Sequence, residues 1–123
     1  MTKKAIVKER PRFVESKTYR VKSGCGWLYV IIGNDDNTAS EVFMKMGRQG
    51  SCFNAQVNAL GRVISLALEG GVPAEKIVNT LKGIRCSSPS FDEGERVTSC
   101  ADGVAIVLQR FVESKGVGNE NSD

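Results

Sequence analysis

Histidine is missing from this 123-residue chain. With it goes the side chain that titrates nearest neutral pH, which is also the usual general base and the commonest metal ligand. Long apolar runs are missing as well. Leu28 to Ile32 covers five residues, against the roughly 18 that a membrane-spanning helix requires. The basic start, Met1 to Arg10, lacks the apolar core of a secretory signal, so the expected setting is cytoplasmic. Charge of one sign is scarce: 17 basic against 14 acidic side chains leave +3, which permits an anionic partner without demanding one. No basic stripe interleaves with aromatics, which argues against nucleic acid. No internal repeat, low-complexity tract or second domain is visible, and 41% apolar with 25% charged residues is ordinary for one globular domain.

What is present reads as strands first and helices afterwards. Residues 1–12 form an arm ending near Pro11, with the makings of a short edge strand. Phe13 to Val21 mixes aromatic and β-branched residues with charges, as a half-buried strand does. Ser23-Gly24-Cys25-Gly26 breaks it, and Trp27 to Ile32 follows as a central strand, apolar on both faces. Gly33 to Asn37 is turn chemistry, and Ser40 to Met46 returns as the hairpin partner. Phe53, Val57, Leu60, Ile64, Ala67 and Leu68 then recur at helical spacing, with Asn54, Asn58, Arg62, Ser65 and Glu69 on the opposite side. Gly70-Gly71 stops that helix. Pro73 opens a second, with Ile77, Val78 and Leu81 inward and Gly83 as its C-terminal stop. Ile84 to Arg96 reads as an ordered loop. Ser99 with Asp102 resembles an acidic capping box opening a third helix, whose stripe is Cys100, Val104, Val107, Leu108 and Phe111. The expectation is an α+β domain over residues 13–115, an antiparallel sheet of three to four strands followed by three helices packed on one face, with residues 116–123 as a disordered tail.

The stretch around which this order turns is Met46-Gly47-Arg48-Gln49-Gly50-Ser51-Cys52, between strand and helix. Ser51 suits an N-cap, and a helix start offers unpaired N–H groups and a positive dipole end to an anion. Two readings stand. In one, Gly47 and Gly50 serve turn geometry alone and Arg48 is solvated. In the other, the amides of Gly50, Ser51 and Cys52 hold a phosphate beneath Arg48, although no Gly-Lys-Ser/Thr follows to make a Walker A loop. Asn54 could read a base or ribose, and Arg62, three helical turns on, could serve another part of a ligand or a neighbouring subunit. Arg85 lies at the end of the second helix, where the dipole favours a cation without any ligand.

Cys25, Cys52, Cys86 and Cys100 are spaced 27, 34 and 14 apart, with no Cys-x2-Cys knuckle. Buried thiols are the reading preferred over a four-cysteine zinc site, and no resident metal or cofactor is expected. Cys52 at a helix start would stabilise a thiolate, but no histidine exists to act beside it. Trp27 and Phe91 are the aromatics most able to stack on a base, against the alternative that both belong to the core.

The runs Gly24 to Val30, Gly47 to Leu68, Leu81-Lys82-Gly83-Ile84-Arg85-Cys86 and Thr98-Ser99-Cys100-Ala101-Asp102 closely resemble the TSCPD domain, over roughly residues 17 to 112. That domain is best known near the C-terminus of adenosylcobalamin-dependent (class II) ribonucleotide reductases, and it also occurs as free-standing small proteins in bacteria, archaea and their viruses. Two departures matter. Ala101 stands where the naming motif has proline, and neither the reductases' catalytic barrel nor their tail cysteine pair is present, since no cysteine follows Phe111. The resemblance therefore implies nucleotide-shaped ligands without ribonucleotide reduction. The resulting expectation is a non-catalytic nucleotide-binding protein that regulates or sequesters a nucleotide or nucleotide-derived signal, a host signal if the source is a phage. Its binding residues would be Gly47, Arg48, Gly50, Ser51, Cys52, Asn54, Arg62 and Arg85. A homo-oligomer is expected. The alternative is an accessory or interaction module of a ribonucleotide reductase or related enzyme.

Overall fold

The computed structural model describes residues 14–35, 38–47, 51–87 and 89–121, with backbone alone for 35, 51 and 115–121. β1 (Glu15–Ser23), β2 (Gly26–Asp35) and β3 (Thr38–Met46) form an antiparallel sheet in the order β1-β2-β3. The strand expected over residues 13–21 lies two residues further on, and the arm over 1–12 is outside the described residues.

Register decides which side of the sheet becomes core. Val21, Leu28 and Met46 sit side by side, as do Val30 with Met44 and Ile32 with Val42, and all seven are buried. The neighbouring positions form the opposite face: Lys22 beside Trp27, Arg20 beside Tyr29 and Lys45, Thr18 beside Ile31 and Phe43. Because side chains alternate along a strand, a one-residue slip would exchange these two sets. A bulge at Gly33/Asn34 leaves Ser40 as the extra residue on β3 and brings Gly33 opposite buried Glu41. A Cβ on Gly33 would stand 2.5 Å from Glu41 Cγ, so any larger residue would have to displace the buried Glu41 side chain.

α1 (Ser51–Glu69) lies along the outer edge of β3, where a Cβ on Gly61 would come within 3.1 Å of the Met44 amide nitrogen. Its expected apolar face is at least half-buried throughout. Asn54 and Ser65, expected on the solvent side, instead face the strand. Asn54 Oδ1 accepts the Met46 N–H at 2.9 Å, while Ser65 Oγ accepts the Val42 N–H and donates to the Val42 carbonyl, both at 2.7 Å. The reason is that α1 runs beside the sheet edge, so its flank meets strand backbone whose polar groups need partners.

α2 (Ala74–Leu81) has Pro73 as its N-cap residue, where the sequence reading had it as the first helical one, and its C-cap Lys82 is followed by Gly83 with φ +88°. α3 (Cys100–Asn121) covers the core face, with every residue from Asp102 to Leu108 buried; it runs past Lys115, where the sequence reading ended the domain. Ser99 Oγ accepts the Asp102 N–H at 2.9 Å, as a capping box requires. The carboxylate, however, bonds the Gly83 and Thr98 amides at 2.7 and 2.9 Å, so Asp102 ties the end of α2 to the entry of α3.

The loop expected over Ile84–Arg96 contains a correction: β4 (Ser90–Asp92) and β5 (Glu95–Val97) form a separate hairpin turning at Glu93-Gly94, both at positive φ. Strands of three residues leave too little periodicity to be read from sequence.

Candidate functional site

The glycine turn can be followed only at its margins. Gly47 leaves β3 and donates its N–H to the Trp27 carbonyl at 3.1 Å. Arg48, Gln49 and Gly50 lie outside the described residues, as does the side chain of Ser51, whose backbone is the first residue of α1, one position inside the N-cap place expected for it. Cys52 is exposed on the first turn of that helix. Asn54 Oδ1 accepts the Met46 amide, so this side chain fastens the helix start to the strand end. Arg62, eleven residues beyond Ser51, is about 16 Å further along the helix at 1.5 Å per residue. It is exposed, and it cannot share a phosphate with the turn. Arg85 is exposed in a segment tied to the α3 entry by the Cys86 N–H on the Thr98 carbonyl and the Thr98 hydroxyl on the Ile84 carbonyl, each 2.8 Å.

A different set of residues gathers where the open face of β1–β2 meets the β4–β5 hairpin. Arg20, Lys22, Trp27, Ser90, Phe91, Asp92 and Glu93 line a cleft of about 620 Å³. Both aromatics weighed as core alternatives are at the surface, Trp27 37% and Phe91 64% exposed. The Arg20 guanidinium carbon stands 4.1 Å from the centre of the Trp27 ring and Lys22 Nζ 5.1 Å from it. Such cation–π contacts hold both cations on the sheet face.

Asp92 fixes the other wall. Its Oδ1 accepts the Lys22 N–H at 2.9 Å, closing the outer edge of β1, and its Oδ2 accepts Arg110 Nη1 from α3 at 2.9 Å. Arg110 Nη2 reaches Glu95 Oε1 at 3.2 Å and the Asp92 carbonyl at 3.4 Å. Burial works to lower the Arg110 pKa, but the hydrogen bonds and charges of Asp92 and Glu95 outweigh it and push the value up. The hairpin carrying Phe91 is thus hung between strand and helix by one carboxylate. No periodicity announces this cleft in the sequence. The one available signal was Phe91 followed by acidic residues in a loop, across the chain from Trp27.

Three of the four cysteines collect at the neighbouring corner. Cys25 occupies the β1–β2 turn, Cys100 Sγ stands 3.7 Å from Ser23 Oγ in the same turn, and Cys86 is held two residues before Cys100 in space by its bond to Thr98. Burial first, then the nearby Cys25 and Cys86, raise the Cys100 pKa against the lowering effect of Ser23. The four-cysteine zinc alternative is not assembled: among the described residues no group of three or more acidic or thiol side chains stands ready to hold a metal ion. Among them, too, no helix is long and apolar enough to cross a membrane.

Comparison with curated proteins and with solved structures gives no significant match. The sequence model of one family, the TSCPD domain, matches residues 2–112. That span takes in the sheet, the first two helices, the β4–β5 hairpin and α3 through Val112, and the chain therefore belongs to the TSCPD domain family.

Proposed function

We propose that this protein is a non-catalytic nucleotide-binding protein that regulates or sequesters a nucleotide or nucleotide-derived signal. The observation that carries the reading is the meeting of two exposed aromatic rings, Trp27 and Phe91, and two cations, Arg20 and Lys22, on one cleft. Base stacking on an aromatic side chain contributes about 1–3 kcal/mol. An arginine stacked on a ring still directs its planar N–H fork outward, where a phosphate can take two bonds. The cleft, about 620 Å³, is open to solvent and has both aromatic rings on its lining. The Gly47 N–H bonds the Trp27 carbonyl, so the glycine turn of the sequence reading starts beside the strand that carries Trp27. Chemistry has little support: the chain has no histidine, and the cleft's most buried carboxylate, Asp92, is engaged in holding the hairpin.

The test is thermal shift and equilibrium binding against mono-, di- and cyclic nucleotides, with Trp27→Ala, Arg20→Ala and Arg48→Ala alongside. A ligand at one hundred times its dissociation constant adds about 2.7 kcal/mol to stability. Loss of the shift in Trp27→Ala and Arg20→Ala supports the cleft. Loss in Arg48→Ala alone moves the site to the turn, and no shift with any nucleotide overturns the reading. The second reading, an interaction module, draws on Val63 and Leu66, each 62% exposed on α1. The same pair suits a homo-oligomer, which light scattering would detect.

A further inference from the structure

The corner where the β1–β2 turn meets the start of α3 brings together thiols that lie far apart in the chain. Ser23 and Gly26 close the turn, with the Ser23 hydroxyl donating to the Gly26 carbonyl at 2.8 Å, so Gly24 and Cys25 form its tip. Cys100 Sγ contacts the same Ser23 hydroxyl at 3.7 Å, and Cys25 and Cys100 are both half-buried against the hydrophobic core. Cys25 lies two residues from Ser23 in the same tight turn, so the contact with Ser23 brings Cys100 to the side of the turn that carries Cys25. All four cysteines are unlinked.

We propose that Cys25 and Cys100 form a dithiol–disulfide couple that exchanges with low-molecular-weight disulfides. The Cys25 thiolate attacks one sulfur of the small disulfide, RSSR. The RSSR bond breaks, a mixed disulfide forms on Cys25, and the expelled RS⁻ takes up a proton. Cys100 then gives up its proton and attacks the Cys25 sulfur, forming the protein disulfide and releasing a second RS⁻, which is protonated in turn. Two electrons pass from the protein to the small disulfide, so two protein thiols and one RSSR become one protein disulfide and two RSH. Cys25 goes first because it sits at the tip of the two-residue turn, whereas Cys100 is packed at the start of α3 against Ser23, where burial pushes its pKa up. The link joins the turn two residues before Trp27 to α3, so it fixes one wall of the cleft without occupying it. The couple is independent of whether a nucleotide binds there.

The experiment incubates the folded full chain with glutathione disulfide, quenches in acid, alkylates and maps the peptides by mass spectrometry. The expected result is loss of two of the four alkylatable thiols and of two hydrogens from the mass, with the Cys25 and Cys100 peptides joined. Cys25→Ser and Cys100→Ser each abolish the link; Cys100→Ser traps a glutathione adduct on Cys25, and Cys52→Ser behaves as the parent. Circular dichroism of each variant checks that the fold is retained. Four thiols still alkylatable, a link through Cys86 or Cys52, or bound metal protecting the cluster would each overturn the proposal.

Discussion

Asp92→Ala removes a carboxylate that bonds the β4–β5 hairpin to both β1 and α3. Asp92 is 8% and Arg110 29% exposed, so the pair is partly shielded from water and its geometry is short. Losing the charged acceptor of the Lys22 N–H costs about 1.5–3 kcal/mol, because that amide is left at a strand edge without a partner. The ion pair adds less, on the order of 1 kcal/mol, since Arg110 keeps Glu95 at 3.2 Å. The expected sum is about 2.5–4 kcal/mol, or roughly 10–16 °C in Tm for a domain of this size. Trp27, the single tryptophan, adjoins the hairpin and reports the transition by fluorescence during urea unfolding. Asp92→Asn keeps an acceptor for the amide while losing the charge, so it should recover about half the loss. A loss below about 0.5 kcal/mol for Asp92→Ala, or an Asn variant as unstable as the Ala one, would refute the hanging-carboxylate argument.

Other perturbations probe the α1 seam and the thiol corner. Gly61→Ala should lower stability by about 1 kcal/mol even though alanine is the better helix former, because its Cβ would press on the Met44 amide nitrogen at 3.1 Å; a stability gain in chemical denaturation would show that α1 is free to move off β3. Ser65→Ala strands both the N–H and the carbonyl of Val42 and should cost about 1–3 kcal/mol by the same measurement, with an unchanged midpoint counting against the seal. The raised Cys100 pKa means that its alkylation rate rises with pH later than that of free cysteine, which peptide-resolved labelling can follow. By linkage, a thiol held above its unfolded value contributes stability below that value and loses it as pH climbs through the folded one, so Tm should fall more on the alkaline side in the parent than in Cys100→Ser.

Local order was written plainly. Period-two alternation, the 3.6-residue stripe from Phe53 to Leu68, the stops at Gly71 and Gly83, and the Ser99 hydroxyl over the α3 start all depend on neighbours within a few residues. Four motifs in order likewise sufficed to name the family before any coordinates. What needed tertiary structure was everything decided by approach between distant segments. Ser65 and Asn54 read as solvent-facing until α1 was seen to run along an open strand edge whose backbone they complete. For Trp27 the sequence left core and surface both open, because its strand is apolar on both faces; register turns it outward beside Lys22, on the sheet face opposite the buried Leu28 and Val30. Phe91 joins it because Asp92 pairs with a strand 70 residues away and Arg110 18 residues on. Sequence periodicity reports which way a side chain points within its own element; which element it then faces is set by packing and register, and the cleft exists only at that level.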